Sequence, residues 1–347
     1  MTAQTWSAIS VCFGGSALST VRVVSESPPE TMPRSAIAVD LIAVILAISD
    51  ATPKILVVHS PSGEADDGPE GLPAGSLDPD ADRTLDRGMR RWVRERTGIE
   101  LGYLEQLYTF GDRDRARGGG ERVLSIVYLA LAREQPVEGP GGPQWRSCYE
   151  YFPWEDWRGG RPAVIDEHIA PALLAWAEEA SGPEEGAARR ERAELTFGLG
   201  ATPFDPNRPL DRYELLYEAA LLDEAAATEG GTGAGPTFGR PMHLDHRRIA
   251  ATALERIRGK LSYRPLIFEL LPETFTLLQL QRAVEALIGV RLHKSNFRRL
   301  IEQAQLVEGT GLREQRTGGR PAELHRFRRE VLRERPAPGV VLPGRRR

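Results

Sequence analysis

Between Lys294 and Gln303 the sequence KSNFRRLIEQ sets hydrogen-bond donors and apolar residues on opposite sides of one helical repeat. Phe297, Leu300, Ile301 and Ala304 share the apolar side, which turns Asn296, Arg298, Arg299 and Gln303 outward. Those side-chain types match base edges: arginine donates two bonds to guanine, and asparagine or glutamine pairs with the donor and acceptor of adenine. Lys294 and Ser295 open the helix, and Arg313, Arg316 and Arg320 follow on the next segment, where they would meet phosphates. A single arginine is more often a phosphate contact or a solvated charge than a base reader, so the weight rests on the group.

The elements that must position these residues read in order. Ala250, Ala253, Leu254, Ile257 and Leu261 mark a helix from about Leu244 to Ser262. Thr276 can N-cap a second helix, Leu277–Ile288, closed by Gly289, and a third begins at Lys294 or Ser295. The segments Leu306–Arg313 and Glu323–Arg328, joined by a Gly-tipped turn at 315–319, read as a β-hairpin. Three helices and a hairpin are the order of a winged helix, whose second motif helix enters the major groove. Charge agrees. Residues 241–347 hold 22 Lys and Arg against 11 Asp and Glu, leaving 23 against 38 for the rest of the chain. A basic end on an acidic body points to a polyanion partner for one domain only, double-stranded DNA being the natural one. The net charge of −4 conceals this division.

Upstream, Ala36–Ile48 and Lys54–His59 are β-branched runs separated by a turn and read as a hairpin. A helix over Thr84–Thr97 stops at Gly98, strands are expected at Leu101–Phe110 and Val123–Leu131, and helices at Ile165–Glu179 and Tyr213–Ala227. The Gly-rich TEGGTGAGPTFG, Thr228–Gly239, reads as a loose connection. Two cysteines, Cys12 and Cys148, make no disulfide framework, and no run approaches a membrane span, so a cytoplasmic protein is expected with no membrane partner.

The segment GSLDPDADRTLDRGMRRWVRERTGI, Gly75 to Ile99, resembles the Nudix box, G-x5-E-x7-R-E-U-x-E-E-x-G-U, where U is apolar. Aligned on Thr97-Gly98-Ile99, Arg91 takes the box arginine, Val93 the apolar position and Glu95 the first glutamate of the EE pair. The other glutamate positions fall on Arg83, Trp92 and Arg96, and the loop after Gly75 is two residues longer than the pattern. In catalytic members these glutamates hold divalent metal on a diphosphate. Exchanging Glu for Arg replaces attraction for metal by repulsion, about 4 kcal/mol per close pair at an effective dielectric of 20. No catalytic residue and no metal ligand is therefore assigned. The resemblance implies instead that Arg83, Arg91 and Arg96, beside Glu95, could bind a diphosphate without metal, the plainer alternative being surface salt bridges.

LPAGSLD, the stretch Glu105–Leu131, RYELLYEAALLDEA, and above all LLPETFTLLQLQ with HKSNFRR together resemble the Nudix-related transcriptional regulators, the NrtR family, over roughly residues 36–330. The resemblance implies an α/β Nudix-like sandwich, a mixed sheet between helices, followed by an α+β winged-helix domain. It also implies a homodimeric repressor of NAD-metabolism genes that senses ADP-ribose or an NAD-related nucleotide as effector, with no cofactor. Asp112, Arg113 and Arg115 lie on the loop by the expected pocket and become ligand contacts. An active hydrolase of ADP-ribose-like nucleoside diphosphates with an appended DNA-binding domain is the alternative. The expected organisation is an extension at 1–34, a Nudix-like effector domain at 35–227, a linker at 228–242, a winged helix at 243–335 and a basic tail at 336–347 that includes Arg345–Arg347.

Overall fold

The apolar run Ile37–Ser49 forms β1, the central strand of the sheet. Side chains alternate across a strand, so Leu41, Ala43 and Ile45 face one side and Ile42, Val44 and Leu46 the other; all six are buried. A tight turn through Asp50 and Ala51, both at positive φ, returns the chain as β2, Thr52–Val57. The pair is antiparallel, from Leu46↔Ile55 to Ser49↔Thr52, so the expected hairpin is present. The computed structural model describes residues 37–59, 69–78, 80–111, 122–139, 141–228, 238–314 and 321–340.

Next come β3 (Ala74–Ser76), α1 (Leu85–Thr97), β4 (Tyr103–Phe110), β5 (Arg122–Leu131) and β6 (Gln144–Ser147). The sheet runs β4-β5-β1-β2-β6, with β3 also on β1; β5 is parallel to β1 and the other pairings are antiparallel. It is thus the mixed sheet the sequence implies. One face packs against Met89 and Val93 of α1. The other lies under a helical layer: α2 (Cys148–Tyr151), a 3-10 turn at Pro153–Glu155, α3 (Ala170–Glu178), α4 (Pro183–Phe197), α5 (Pro209–Glu218), α6 (Asp223–Thr228) and α7 (His246–Leu261).

Two helices differ from expectation for visible reasons. The helix expected over 165–179 opens with a π turn, Ile165–Ile169, in which Ala170 N–H bonds to the Ile165 carbonyl. Pro171, with no N–H to give, follows at once. The helix expected over 213–227 breaks at Ala220, whose φ of 53° ends α5 before α6 begins.

The basic end follows as α7, a 3-10 turn at Leu266–Leu270, α8 (Leu277–Ile288), α9 (Lys294–Ala304), β7 (Val307–Glu314), β8 (Ala322–Phe327) and α10 (Val331–Glu334). This is the helix-helix-helix-hairpin order of the winged helix. The connection before it is tethered where it is described. Phe238 and Met242 are buried, Arg240 N–H bonds to the Glu150 carbonyl at 2.9 Å, and His243 N–H bonds to the Glu70 carbonyl at 2.8 Å. One apolar core runs from Ile42 and Val44 through Ile257 to Leu280 and Phe297, and the described residues pack as a single compact unit. The boundary expected at 228–242 separates groups of elements rather than two independently packed bodies. Residues 1–34, most of the basic tail and Cys12 lie outside the described residues, and Cys148 is a free, buried thiol that burial pushes up to about 12.

Candidate nucleic-acid interface and nucleotide cleft

Helix α8 is closed at both ends by local chemistry. Thr276 Oγ1 accepts from Gln279 N–H while the Gln279 side chain accepts from Thr276 N–H, a reciprocal N-terminal cap. Gly289 at φ 74° ends it. The turn into α9 is held by the buried carboxylate of Glu285, which accepts from Leu292 N–H at 2.9 Å, and by Gln281, whose amide donates to Glu285 and to the Leu292 carbonyl, each at 2.9 Å. These bonds tie the start of α9 to α8.

On α9, Phe297, Ile301 and Ala304 are buried against the core and Leu300 is half-buried. Lys294, Ser295, Arg298, Arg299 and Gln303 are exposed, and Asn296 is half-exposed. The donor-bearing face therefore stands in solvent as the periodicity requires. Arg299 Nη2 donates to Asn296 Oδ1 at 2.7 Å, so these two side chains are joined on the exposed face. Glu302 also lies exposed on this helix, a carboxylate the sequence reading left out; placed near phosphate it would repel. Arg313 is exposed on β7, while Arg316 and Arg320, at the hairpin tip, lie outside the described residues. The hairpin is seated by Phe327 of β8 stacked on Phe268 at 4.4 Å.

The nucleotide-side residues are arranged differently from a convergent cationic pocket. Arg91 is engaged by carboxylates: its Nε and Nη2 bind Asp82 Oδ1 at 3.0 and 2.8 Å, and its Nη1 binds Glu95 Oε2 at 3.0 Å. The hydrogen bonds that Arg91 donates to Asp82, with both nearby negative charges, hold the guanidinium firmly in its charged form. Arg96 instead lies 5.5 Å from the centre of the Trp92 ring, and Arg83 is exposed. Of the predicted group, the structure brings together Arg91 and Glu95 alone; Asp112, Arg113 and Arg115 lie outside the described residues. Asp82, which the sequence reading missed, organises the loop. Its carboxylate, 3% exposed, also accepts from Asp78 N–H at 3.1 Å, and a Cβ on Gly88 would sit 2.6 Å from its side chain. The signal available was that glycine inside a helix of otherwise good formers.

Trp92 stands where the Nudix pattern has a metal-binding glutamate, and its indole lies over the loop. A Cβ on Gly75 would fall 1.8 Å from Trp92 Nε1. Gly75→Ala therefore forces a large ring out of a packed site and should lower stability by about 1–3 kcal/mol. A drop in the urea midpoint, relieved when Trp92→Phe is added, checks this; an unchanged midpoint would mean that the ring swings aside freely. The four metal-binding positions of the pattern thus present Arg83, Trp92, an arginine-paired Glu95 and Arg96. This set does not fit a divalent cation. Among the described residues no group of three or more His, Cys, Asp or Glu side chains is placed to hold a metal ion, and no helix is long and apolar enough to cross a membrane.

A second polar centre, also missed, lies on the opposite face of the sheet. Glu70, 4% exposed, accepts from Gln144 at 2.9 Å, from Arg146 at 3.0 and 2.8 Å and from the Tyr151 hydroxyl, with Arg240 at 3.3 Å. Burial pushes its carboxyl up, but these donors and the two guanidinium charges outweigh it and leave it below the usual range. Immediately downstream, Leu72 N–H donates to His246 Nδ1 at 2.9 Å, joining the start of the LPAGS loop to the first turn of α7. Glu70 lies in a Gly/Pro/Asp-rich stretch whose partners are up to 170 residues away in sequence, so no local pattern announces it.

Comparison with known proteins gives this arrangement its relatives. Residues 267–327 match the family described as the NrtR DNA-binding winged helix domain. The ADPR responsive transcriptional repressor NtrR of Acinetobacter baylyi is 37% identical over 86 residues, which make up 25% of this chain and 34% of that protein. Part of the chain, including residues 267–327, is thus similar to proteins of the NrtR family. The match to the Acinetobacter repressor spans about a third of that relative's length. Shewanella oneidensis NrtR, in a crystal structure with a 27mer DNA, shares the fold over 84% of this chain and 94% of its own at a TM-score of 0.51 and 22% identity. A MutT/nudix family protein from Enterococcus faecalis does so over 88% and 90%, at a TM-score of 0.51 and 16% identity. The Nudix-like sheet and the NrtR winged helix are thus both present, in the order the sequence implied.

Proposed function

We propose that this chain is a DNA-binding transcriptional repressor, acting as a homodimer, whose Nudix-like half senses ADP-ribose or a related nucleotide without hydrolysing it. The observation that carries the reading is the exposed donor face of α9 on an NrtR winged helix, with Arg298, Arg299 and the Asn296–Arg299 pair free to meet base edges. Similarity to the ADPR responsive transcriptional repressor of Acinetobacter supports the same assignment. Genes of NAD metabolism are its proposed targets. On the nucleotide side we assign the diphosphate to Arg83 and Arg96, which among the described guanidiniums of the group are not taken up by Asp82 and Glu95.

Arg298→Ala and Arg299→Ala should each weaken binding to the preferred duplex by about 1–3 kcal/mol and relax sequence preference at the contacted base pair. Titration by fluorescence anisotropy measures both; wild-type affinity in both variants would put another surface on the DNA. For the nucleotide-binding half, incubation with ADP-ribose and magnesium should release no AMP, while calorimetry detects binding. Turnover near one per second, an ordinary enzymatic rate, would establish a hydrolase instead.

A further inference from the structure

The α8–α9 pair packs on the common core through Leu280, Val284 and Leu287, and directional bonds at its far end add to that packing in setting its angle to the sheet. A helix leaves its last carbonyls without internal partners. On α8 these are taken by groups from the Nudix-like half or held by it. The Tyr149 hydroxyl donates to the Ala286 carbonyl at 2.6 Å, Trp157 N–H donates to the Gly289 carbonyl at 2.7 Å, and Arg291 Nε in the α8–α9 turn donates to the Arg158 carbonyl at 3.0 Å. Arg258 of α7 covers the Leu287 carbonyl at 2.7 Å and is itself held by the Glu155 carboxylate. The approach is close: a Cβ on Gly289 would fall 2.1 Å from the Glu155 carbonyl oxygen.

We propose that the segment 149–158 is a clamp that sets the orientation of the reading helix, with Tyr149 and Arg291 as its positioning residues. The proposal rests on the DNA-binding reading above and names the part of the Nudix-like half through which a bound nucleotide would act. The segment follows β6 directly, and β6 supplies Gln144 and Arg146 to Glu70, which adjoins the loop leading to Gly75. One continuous set of bonds therefore joins the candidate nucleotide loop to the end of α8. A ligand can shift this set only by favouring one of its arrangements over another.

The test uses the full chain, a duplex selected by the wild type from a random pool, and a scrambled duplex. Tyr149→Phe keeps the ring and removes one donor, and Arg291→Ala alters an exposed side chain. Each should lower the ratio of specific to scrambled affinity about fivefold, the worth of one ordinary hydrogen bond, while scrambled-duplex affinity stays at wild type and the melting temperature falls by only about 2–4 °C. Arg291→Lys, which retains a donor, should restore the ratio. An unchanged ratio in both variants, or an equal loss on both duplexes, overturns the clamp. A wild type that prefers no duplex overturns the DNA-binding reading and the clamp with it.

Discussion

Replacing Glu155 by glutamine should remove about 3–5 kcal/mol of folding stability, the cost of leaving buried charge without its counter-ion. Glu155 is 0% exposed, and it faces two guanidiniums that are equally enclosed, Arg212 and Arg258. Arg212 Nη2 binds its Oε2 at 3.0 Å, with further contacts through Arg212 Nε and Arg258 Nη1. Other donors are taken by backbone: Arg212 reaches the Thr196 and Asp205 carbonyls at 3.0 Å, and Arg258 the Pro206 carbonyl at 2.8 Å. Glutamine matches the shape, supplies one neutral oxygen, and points an N–H₂ group at a cation. Two buried positive charges would then face no negative one. Natural domains hold only about 5–15 kcal/mol in total, so the urea midpoint should fall far enough to see without a sensitive assay. A change under about 1 kcal/mol would mean that solvent reaches this triad.

The same group predicts a pH dependence with a definite sign. Burial alone would push the Glu155 carboxyl up, but the charges and hydrogen bonds of Arg212 and Arg258 hold it below its ordinary value. A carboxyl depressed in the folded state contributes stability that is complete above its unfolded value, near 4.3, and is lost as pH falls through the folded value. Wild type should therefore lose stability below about pH 4 more steeply than Glu155→Gln, which has no proton to gain there. Parallel curves would remove Glu155 as the source.

Neither Glu155 nor its partners could be found from spacing. Arg212 lies within RYELLYEAALLDEA and Arg258 within a helix whose apolar face was read correctly, yet each arginine looks there like one more surface charge. What makes them structural is enclosure by elements up to 103 residues apart, and no local pattern encodes that. By contrast α8 and α9 were legible almost to the residue. Their caps, Thr276 with Gln279 and Gly289, are local chemistry, and the buried face of α9 follows the helical period through Phe297, Ile301 and Ala304, whereas the last two turns of α8 are enclosed on all sides. Between these limits lies α4, which the sequence reading passed over. It buries only Ala193, Thr196 and Phe197 along Pro183–Phe197 and so shows almost no amphipathic signal. The nucleotide side was legible as an altered Nudix pattern but not as a pocket. The alignment indicated which glutamates were absent and gave no hint that Asp82, in the lengthened loop, would take Arg91 for itself.

Raising salt from 50 to 200 mM should cost this protein about a thousandfold or more in DNA affinity. Each copy presents Lys294, Arg298, Arg299 and Arg313 in the exposed set, so the homodimer proposed above would offer eight cations from these positions. Neutralising roughly six to ten phosphates displaces as many condensed counterions and loses about 10³–10⁵ over that salt range. The division of charge sharpens the expectation. Residues 1–240 carry 38 acidic against 23 basic side chains and repel DNA, so the attraction belongs to the basic end alone. Arg313 sits on the hairpin, not on the reading helix, which assigns it to phosphate rather than to base. Arg313→Ala should then reduce the slope of log K against log salt by about two in a dimer, one per copy, and weaken preferred and scrambled duplexes alike. Arg298→Ala should instead act mainly on the preferred duplex. A slope near zero would show that the exposed cations of α9 and β7 do not face the DNA backbone; a slope that Arg313→Ala leaves intact would move the hairpin off it.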